Sequence, residues 1–112
     1  MAENLAVSIN SPQSCGMDCG EYCAIWLGAE MPGDQQIDDS KSVCFTSPVL
    51  SETLDIVGAP NIHLLISSNK PAAQIAVRLN HIHPDGASTR ITYGVFNLAH
   101  RNAFNMATPL SP

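Results

Sequence analysis

The residues with the widest chemical reach in this 112-residue chain are four cysteines (Cys15, Cys19, Cys23 and Cys44), the histidine pair His81 and His83, and the loop aspartates Asp34, Asp38 and Asp39. Thiolates bind zinc or pair as disulfides, but a structural zinc site brings one close cysteine pair together with a second, distant pair. Here three cysteines are separated by gaps of three residues and the fourth stands far away. That spacing argues against zinc and against a disulfide framework, and ordinary buried or half-buried thiols are the plainer reading. Two histidines two apart on a strand project to one face and could share a metal ion; a solvent-facing pair at a strand end is the simpler alternative. The aspartates could ligate calcium, yet their spacing is not that of an EF-hand loop, and loop aspartates commonly serve as turn and cap residues. His63 stands in an apolar run, where a hydrogen-bonded core or interface histidine is expected. His100 and Arg101 follow the last expected strand as polar loop contacts.

Nucleophilic catalysis has no visible seat. No serine occupies a Gly-x-Ser-x-Gly elbow, and Gly16-Met17-Asp18-Cys19-Gly20 misplaces its thiol for one. With no base oriented toward a nucleophile, the residues predict no catalytic group, no metal and no cofactor.

The elements that would position these groups are strands. Pro84-Asp85-Gly86 is the strongest local signal, since proline pre-sets φ, aspartate bonds amides two residues on and glycine accepts positive φ. These three are the structural turn residues singled out in the chain. Before them, Ile75, Val77 and Leu79 alternate with Ala76, Arg78 and Asn80, which predicts a half-buried strand over residues 74–83 with a bulge near His81. After them a partner strand is expected from Ser88 to about Leu98, with Ile91, Tyr93 and Val95 on one face and Arg90 on a solvated one. Shorter strands are expected at Leu5, Val7 and Ile9, at Val43-Cys44-Phe45, at Leu54-Asp55-Ile56-Val57 and across the apolar run 62–66. Residues 10–42 read as mostly irregular. No window of helical length shows a helical period, so an all-β sandwich is the expected fold.

Composition narrows the function classes. Charged residues make up 13% and apolar residues 45%, against roughly 25% charged in an average soluble domain. A serine-, threonine- and asparagine-rich β-protein and a chain that lies against other protein both account for this. The net charge is −5, and Lys70, Arg78, Arg90 and Arg101 are too dispersed to form a nucleic-acid patch. There is no run of the roughly 20 apolar residues a membrane span requires, and Met1 to Val7 has neither region of a signal peptide. A soluble, cytoplasmic protein with no nucleic-acid or membrane partner is expected.

An ordered series of short motifs adds a family resemblance. It comprises Pro32-Gly33-Asp34-Gln35, Asp38-Asp39, Ser42, Phe45, Pro48-Val49-Leu50, Leu54-Asp55-Ile56-Val57-Gly58-Ala59-Pro60, Ser67-Ser68 and Pro71. Val77-Arg78-Leu79, Pro84-Asp85-Gly86-Ala87-Ser88, Thr92-Tyr93-Gly94-Val95, Asn97-Leu98 and His100-Arg101 continue it. The series runs from about Leu5 to the end and resembles the C-terminal domain of the CocE/NonD serine hydrolases, which include cocaine-esterase-like, acylase-like and X-Pro dipeptidyl-peptidase-like enzymes. The resemblance implies a galactose-binding-like jelly roll joined to an α/β-hydrolase domain that carries the Ser, Asp and His of the triad and is absent from residues 1–112. Asn69 and His81 stand where such domains often have aspartate.

The expectation is therefore one partial domain, the first part of a jelly roll, whose final turn-rich residues lead towards further strands. Its expected role is to pack on the catalytic domain of an ester, amide or dipeptidyl-peptidase-like hydrolase and help shape the substrate cleft. A free-standing carbohydrate-binding module is the alternative, weakened by few aromatics (Tyr22, Trp26, Tyr93 and three phenylalanines), several of which a core would claim.

Overall fold

The Pro84-Asp85-Gly86 segment closes a β-hairpin through three specific bonds. In the computed structural model, which describes residues 6–20 and 31–110, Gly86 N donates to His83 O at 2.9 Å and His83 N donates to Ala87 O at 2.8 Å. Asp85 Oδ1 accepts from Ala87 N at 3.0 Å. Gly86 sits at φ +92°, the left-handed position that completes a three-residue hairpin loop and leaves one extra residue beside the first rung.

From this loop β1 (Gln74–Ile82) and β2 (Ser88–Asn97) rise as a two-stranded antiparallel sheet. β2 ends at Asn97, whose side chain accepts from Ala99 N at 3.0 Å and caps a 3₁₀ turn over Leu98–His100. The one α-helical turn among the described residues, α1, spans Gln36–Asp39. The chain is thus all-β in character, a partial β-sandwich with single helical turns between extended segments. Among the described residues no helix is long and apolar enough to cross a membrane.

The chain forms two compact units, and both strands pass from one into the other. The first comprises Met1–Thr46 with Arg78–Thr92; the second comprises Ser47–Val77 with Tyr93–Pro112. In the first, the polar face of the hairpin is covered: Arg78 and Asn80 are half-buried and Ser88 is buried, while Leu79 and Ile91 on the opposite face stay open to solvent. In the second, the covered side of β1 is the apolar one, Ile75 and Val77. Here the chain ends of the hairpin are tied by Leu98 N to Ala73 O at 3.0 Å and Leu110 N to Pro71 O at 2.9 Å. Arg101 closes the following loop, donating to Leu98 O, Thr108 O and Pro109 O.

Several expected elements are corrected. Val7 and Ile9, residues 43–45, residues 54–57 and residues 62–66 carry no strand pairing; Leu5 lies outside the described residues. A strand exists only where a neighbour takes up its backbone N–H and C=O groups, and an uninterrupted apolar run needs cover on both faces as well. His63 is exposed rather than enclosed, for the same reason. β1 runs unbroken through Ile82, so the extra residue falls at Gly86 and not near His81. Arg90 is half-buried on the face it shares with Ser88, not solvated. Leu98 is the single buried hydrophobic side chain among the described residues, so the aromatics Phe45, Tyr93, Phe96 and Phe104 are exposed instead of being claimed by a core; Tyr22 and Trp26 lie outside the described residues.

The turn geometry gives a direct test. A Cβ at Gly86 meets only Gln36 Nε2, at an ordinary 3.6 Å, so the penalty in Gly86→Val is backbone strain of about 1–2 kcal/mol or more for a β-branched residue forced to positive φ. Gly94, in β2, has open space at the same position, and Gly94→Ala is expected to be neutral or slightly stabilising. Urea midpoints of the two variants should move in these different ways.

Candidate functional site

The densest chemistry in the first unit is a polar cluster assembled from three stretches of chain. Gly33 and Asp34 lead into α1, and Asp34 Oδ1 accepts from Gln36 N at 3.1 Å and from Ser88 N at 2.9 Å, joining the start of the helical turn to β2. Gln35 is fully buried and fully used. Its N donates to Ser88 O, its Nε2 donates to Asp18 O at 2.7 Å and Gly33 O at 2.9 Å, and its Oε1 accepts from Arg78 Nη1 at 3.1 Å.

Arg78 reaches the cluster from β1. Its Nη2 donates to Asp39 Oδ1 at 2.9 Å and Ser42 Oγ at 3.1 Å, and Nη1 lies 3.7 Å from Asp38 Oδ2. Two residues on, on the same strand face, Asn80 Nδ2 lies 3.0 and 3.2 Å from the two Asp39 oxygens. Ser88 Oγ completes the set by donating to Asp39 Oδ2 at 2.6 Å. Asp38 is fully buried; its Oδ2 accepts from Asp18 N at 3.3 Å, and Lys41 Nζ lies 3.9 Å from Oδ1.

The electrostatics follow from these bonds. The amides of Ser88 and Gln36 hold the Asp34 carboxyl below its ordinary value of 3.8. For Asp38, burial pushes the carboxyl up, but the Gly16 and Asp18 amides together with the Arg78 and Lys41 charges outweigh it, and the net shift is downward. Burial, then the Asp39 charge, push the Cys44 thiol up.

The aspartates weighed as calcium ligands are therefore engaged by amides, a guanidinium and a carboxamide. Of the cysteines, Cys15 and Cys44 direct their sulfurs to the carbonyls of Asp38 and Asp39, at 3.6 and 3.3 Å, and Cys19 is exposed; Cys23 lies outside the described residues. No group of three or more histidine, cysteine and acidic side chains among the described residues is arranged to hold a metal. His81 and His83 lie beside one another at the strand end, with ring centres 4.2 Å apart. His100 packs half-buried in the turn after β2.

In the second unit the notable feature is an apolar cleft of about 740 Å³, lined by Ile62, Leu64, Ile66, Ile75, Val77 and Phe96 among others. Its lining contains no carboxylate, thiol, hydroxyl or imidazole, and Arg101 is its one charged group. Asn61 and Arg101 are the polar side chains on an otherwise apolar wall, so most of what the cleft offers a neighbour is apolar surface to bury.

The fold and these two features define a β-module with a buried polar cluster in one unit, where Asp38 Oδ1 and Asn80 Oδ1 are buried without a hydrogen-bond partner, and an apolar cleft in the other. Specifically, the chain belongs to the family of X-Pro dipeptidyl-peptidase C-terminal non-catalytic domains, whose model matches residues 2–112. No curated protein and no solved structure matches it. It is accordingly the non-catalytic C-terminal portion of a peptidase-like protein, and such a domain implies a catalytic domain in the parent protein.

Some of the residues that carried the resemblance in the sequence meet here. Asp34, Gln35, Asp38, Asp39, Ser42, Arg78 and Ser88 all sit in the polar cluster. Asn80 and Asp18, which no motif of the series includes, are members that sequence reading missed; the signal for Asn80 is a polar residue in phase with Arg78 on β1.

Two measurements probe the cluster. Arg78→Met leaves Asp39 half-buried without its cation and buried Asp38 with Lys41 alone, at a cost of up to about 3 kcal/mol, whereas Lys70→Ala on the exposed loop should move the urea midpoint little. Because the folded-state pKa values of Asp34 and Asp38 lie below 3.8, their stabilisation is complete above that pH and is lost as pH falls through the folded values. Stability plotted from pH 6 downward should therefore drop on the acid side, and Asp34→Asn or Asp38→Asn should flatten that drop.

Proposed function

We propose that this domain packs on the α/β-hydrolase domain of a CocE/NonD-type serine hydrolase, an acyl ester, amide or dipeptidyl-peptidase-like enzyme, and helps shape its substrate cleft. The carrying observation is the apolar surface of the second unit. Val57, Leu65 and Phe104 are 96%, 106% and 94% exposed, and Leu64 and Ile62 stand half open beside the cleft. Large apolar side chains left this open mark surface that other protein covers, and membership of a C-terminal non-catalytic family supplies the coverer in the same parent protein. Residues 62–66 would then find on the catalytic domain, or on further strands of a galactose-binding-like jelly roll, the cover their apolar run demands. The carbohydrate-binding alternative draws little from the exposed aromatics. Tyr93 and Phe96 are three apart on β2 and so face opposite sides of the sheet, which builds no flat stacking platform.

The test is co-expression with the catalytic domain of an X-Pro dipeptidyl-peptidase-like enzyme stripped of its own C-terminal domain. Co-elution, with slowed amide exchange over residues 56–66, is expected, and Leu65→Asp should weaken it. Separate elution of the two proteins, unaffected by that substitution, overturns the reading. On its own the chain is expected to turn over neither aryl esters nor aminoacyl anilides; hydrolysis that survives repurification and disappears with one serine or cysteine would contradict this.

A further inference from the structure

We propose that His81 and His83 form a bidentate site for one divalent first-row transition-metal ion of the imidazole-preferring kind, with solvent completing the coordination. His81 near the end of β1 and His83 just beyond it lie side by side, and the hydrogen bond of the His83 ring goes to Thr89 and not into the polar cluster. Their ring centres are 4.2 Å apart and the planes are tilted by 42°. An ion bound about 2.0–2.1 Å from one nitrogen of each imidazole puts the two ring centres roughly 4–5 Å apart for adjacent coordination positions, so the observed separation needs little rearrangement. A stacked pair of rings would be parallel; the tilt opens a wedge between them.

The orientation of the second ring is fixed by the neighbouring strand. His83 Nε2 lies 2.6 Å from Thr89 Oγ1, and Thr89 Oγ1 in turn donates to His81 O at 3.4 Å. A ligating histidine characteristically uses its other nitrogen for such a hydrogen bond, which fixes both tautomer and ring orientation. With Nε2 so engaged, Nδ1 of His83 is the donor left for an ion. Imidazole donors select nickel, copper and zinc over magnesium and calcium, so the ligand class is set by the donors themselves.

The test uses the full, untagged chain with its thiols alkylated, titrated with Ni²⁺ in a calorimeter. One ion per chain is expected, with affinity lowered at least about tenfold in His81→Gln and in His83→Gln, a smaller loss in Thr89→Val, and no response to Ca²⁺. His81 is exposed, so His81→Gln should leave the far-ultraviolet circular dichroism unchanged and keep the comparison interpretable. Equal Ni²⁺ affinity in the wild type and the His81→Gln/His83→Gln double variant, or the absence of saturable Ni²⁺ binding, overturns the proposal.

Discussion

The charge of Arg78 on the covered face of β1 is the constraint around which the first unit is built. A guanidinium at a half-buried strand position must be matched by carboxylates and acceptors, because an uncompensated charge out of water costs several kcal/mol. Asp39 supplies the short partner, Asp38 the second charge, and Gln35 and Ser42 the remaining acceptors. Once those residues are fixed, so are the helical turn that presents them, the bond from Gln36 N to Asp34 Oδ1 at its start and the backbone bond from Gln35 N to Ser88 O that joins it to β2. Apolar burial contributes little to this unit; directed polar bonds specify it.

The second unit inverts that balance. Its hydrogen bonds are few and lie near the hairpin ends, and its potential binding energy sits in uncovered aliphatic surface. At roughly 25 cal/mol per Å² of apolar area removed from water, cover over the cleft and the run 62–66 would add a stabilisation that the local bonds at Arg101 and Leu110 do not supply. A specified, polar half and an open, apolar half within one non-catalytic domain suit a module that keeps its own hairpin fixed while drawing its remaining stability from a neighbour.

How much of this was legible in the sequence depended on contact range. The hairpin was, because Pro84, Asp85, Gly86 and the alternation on either side act within a few residues of one another. The polar cluster was not derivable from spacing, since Ser42 and Arg78 are 36 residues apart and Asp34 and Ser88 are 54 apart; only the family resemblance marked most of its members. The alternation of β1 misled in one respect. It correctly separated two faces, but burial in the first unit went to Arg78 and Asn80 rather than to Leu79, because what covers a face is decided by distant chain. The apolar run 62–66 was read correctly as apolar and wrongly as paired, for the same physical reason: composition reports what a segment needs, not whether it is supplied.

The latch between Gln36 and the hairpin loop carries a consequence for how this sheet avoids mispairing. Gln36 Nε2 donates to Gly86 O at 2.6 Å, while Arg78, Asn80 and Ser88 converge on Asp39 a few residues away. Strand side chains alternate, so a slip of one residue in β1 would place Leu79 and His81 beneath Asp39 in place of Arg78 and Asn80. Two carboxylates would then face aliphatic and imidazole groups, with the guanidinium turned to solvent. The polar cluster thus acts as a register check: it tolerates one alignment of the two strands and penalises the adjacent ones, and it does so from outside the sheet.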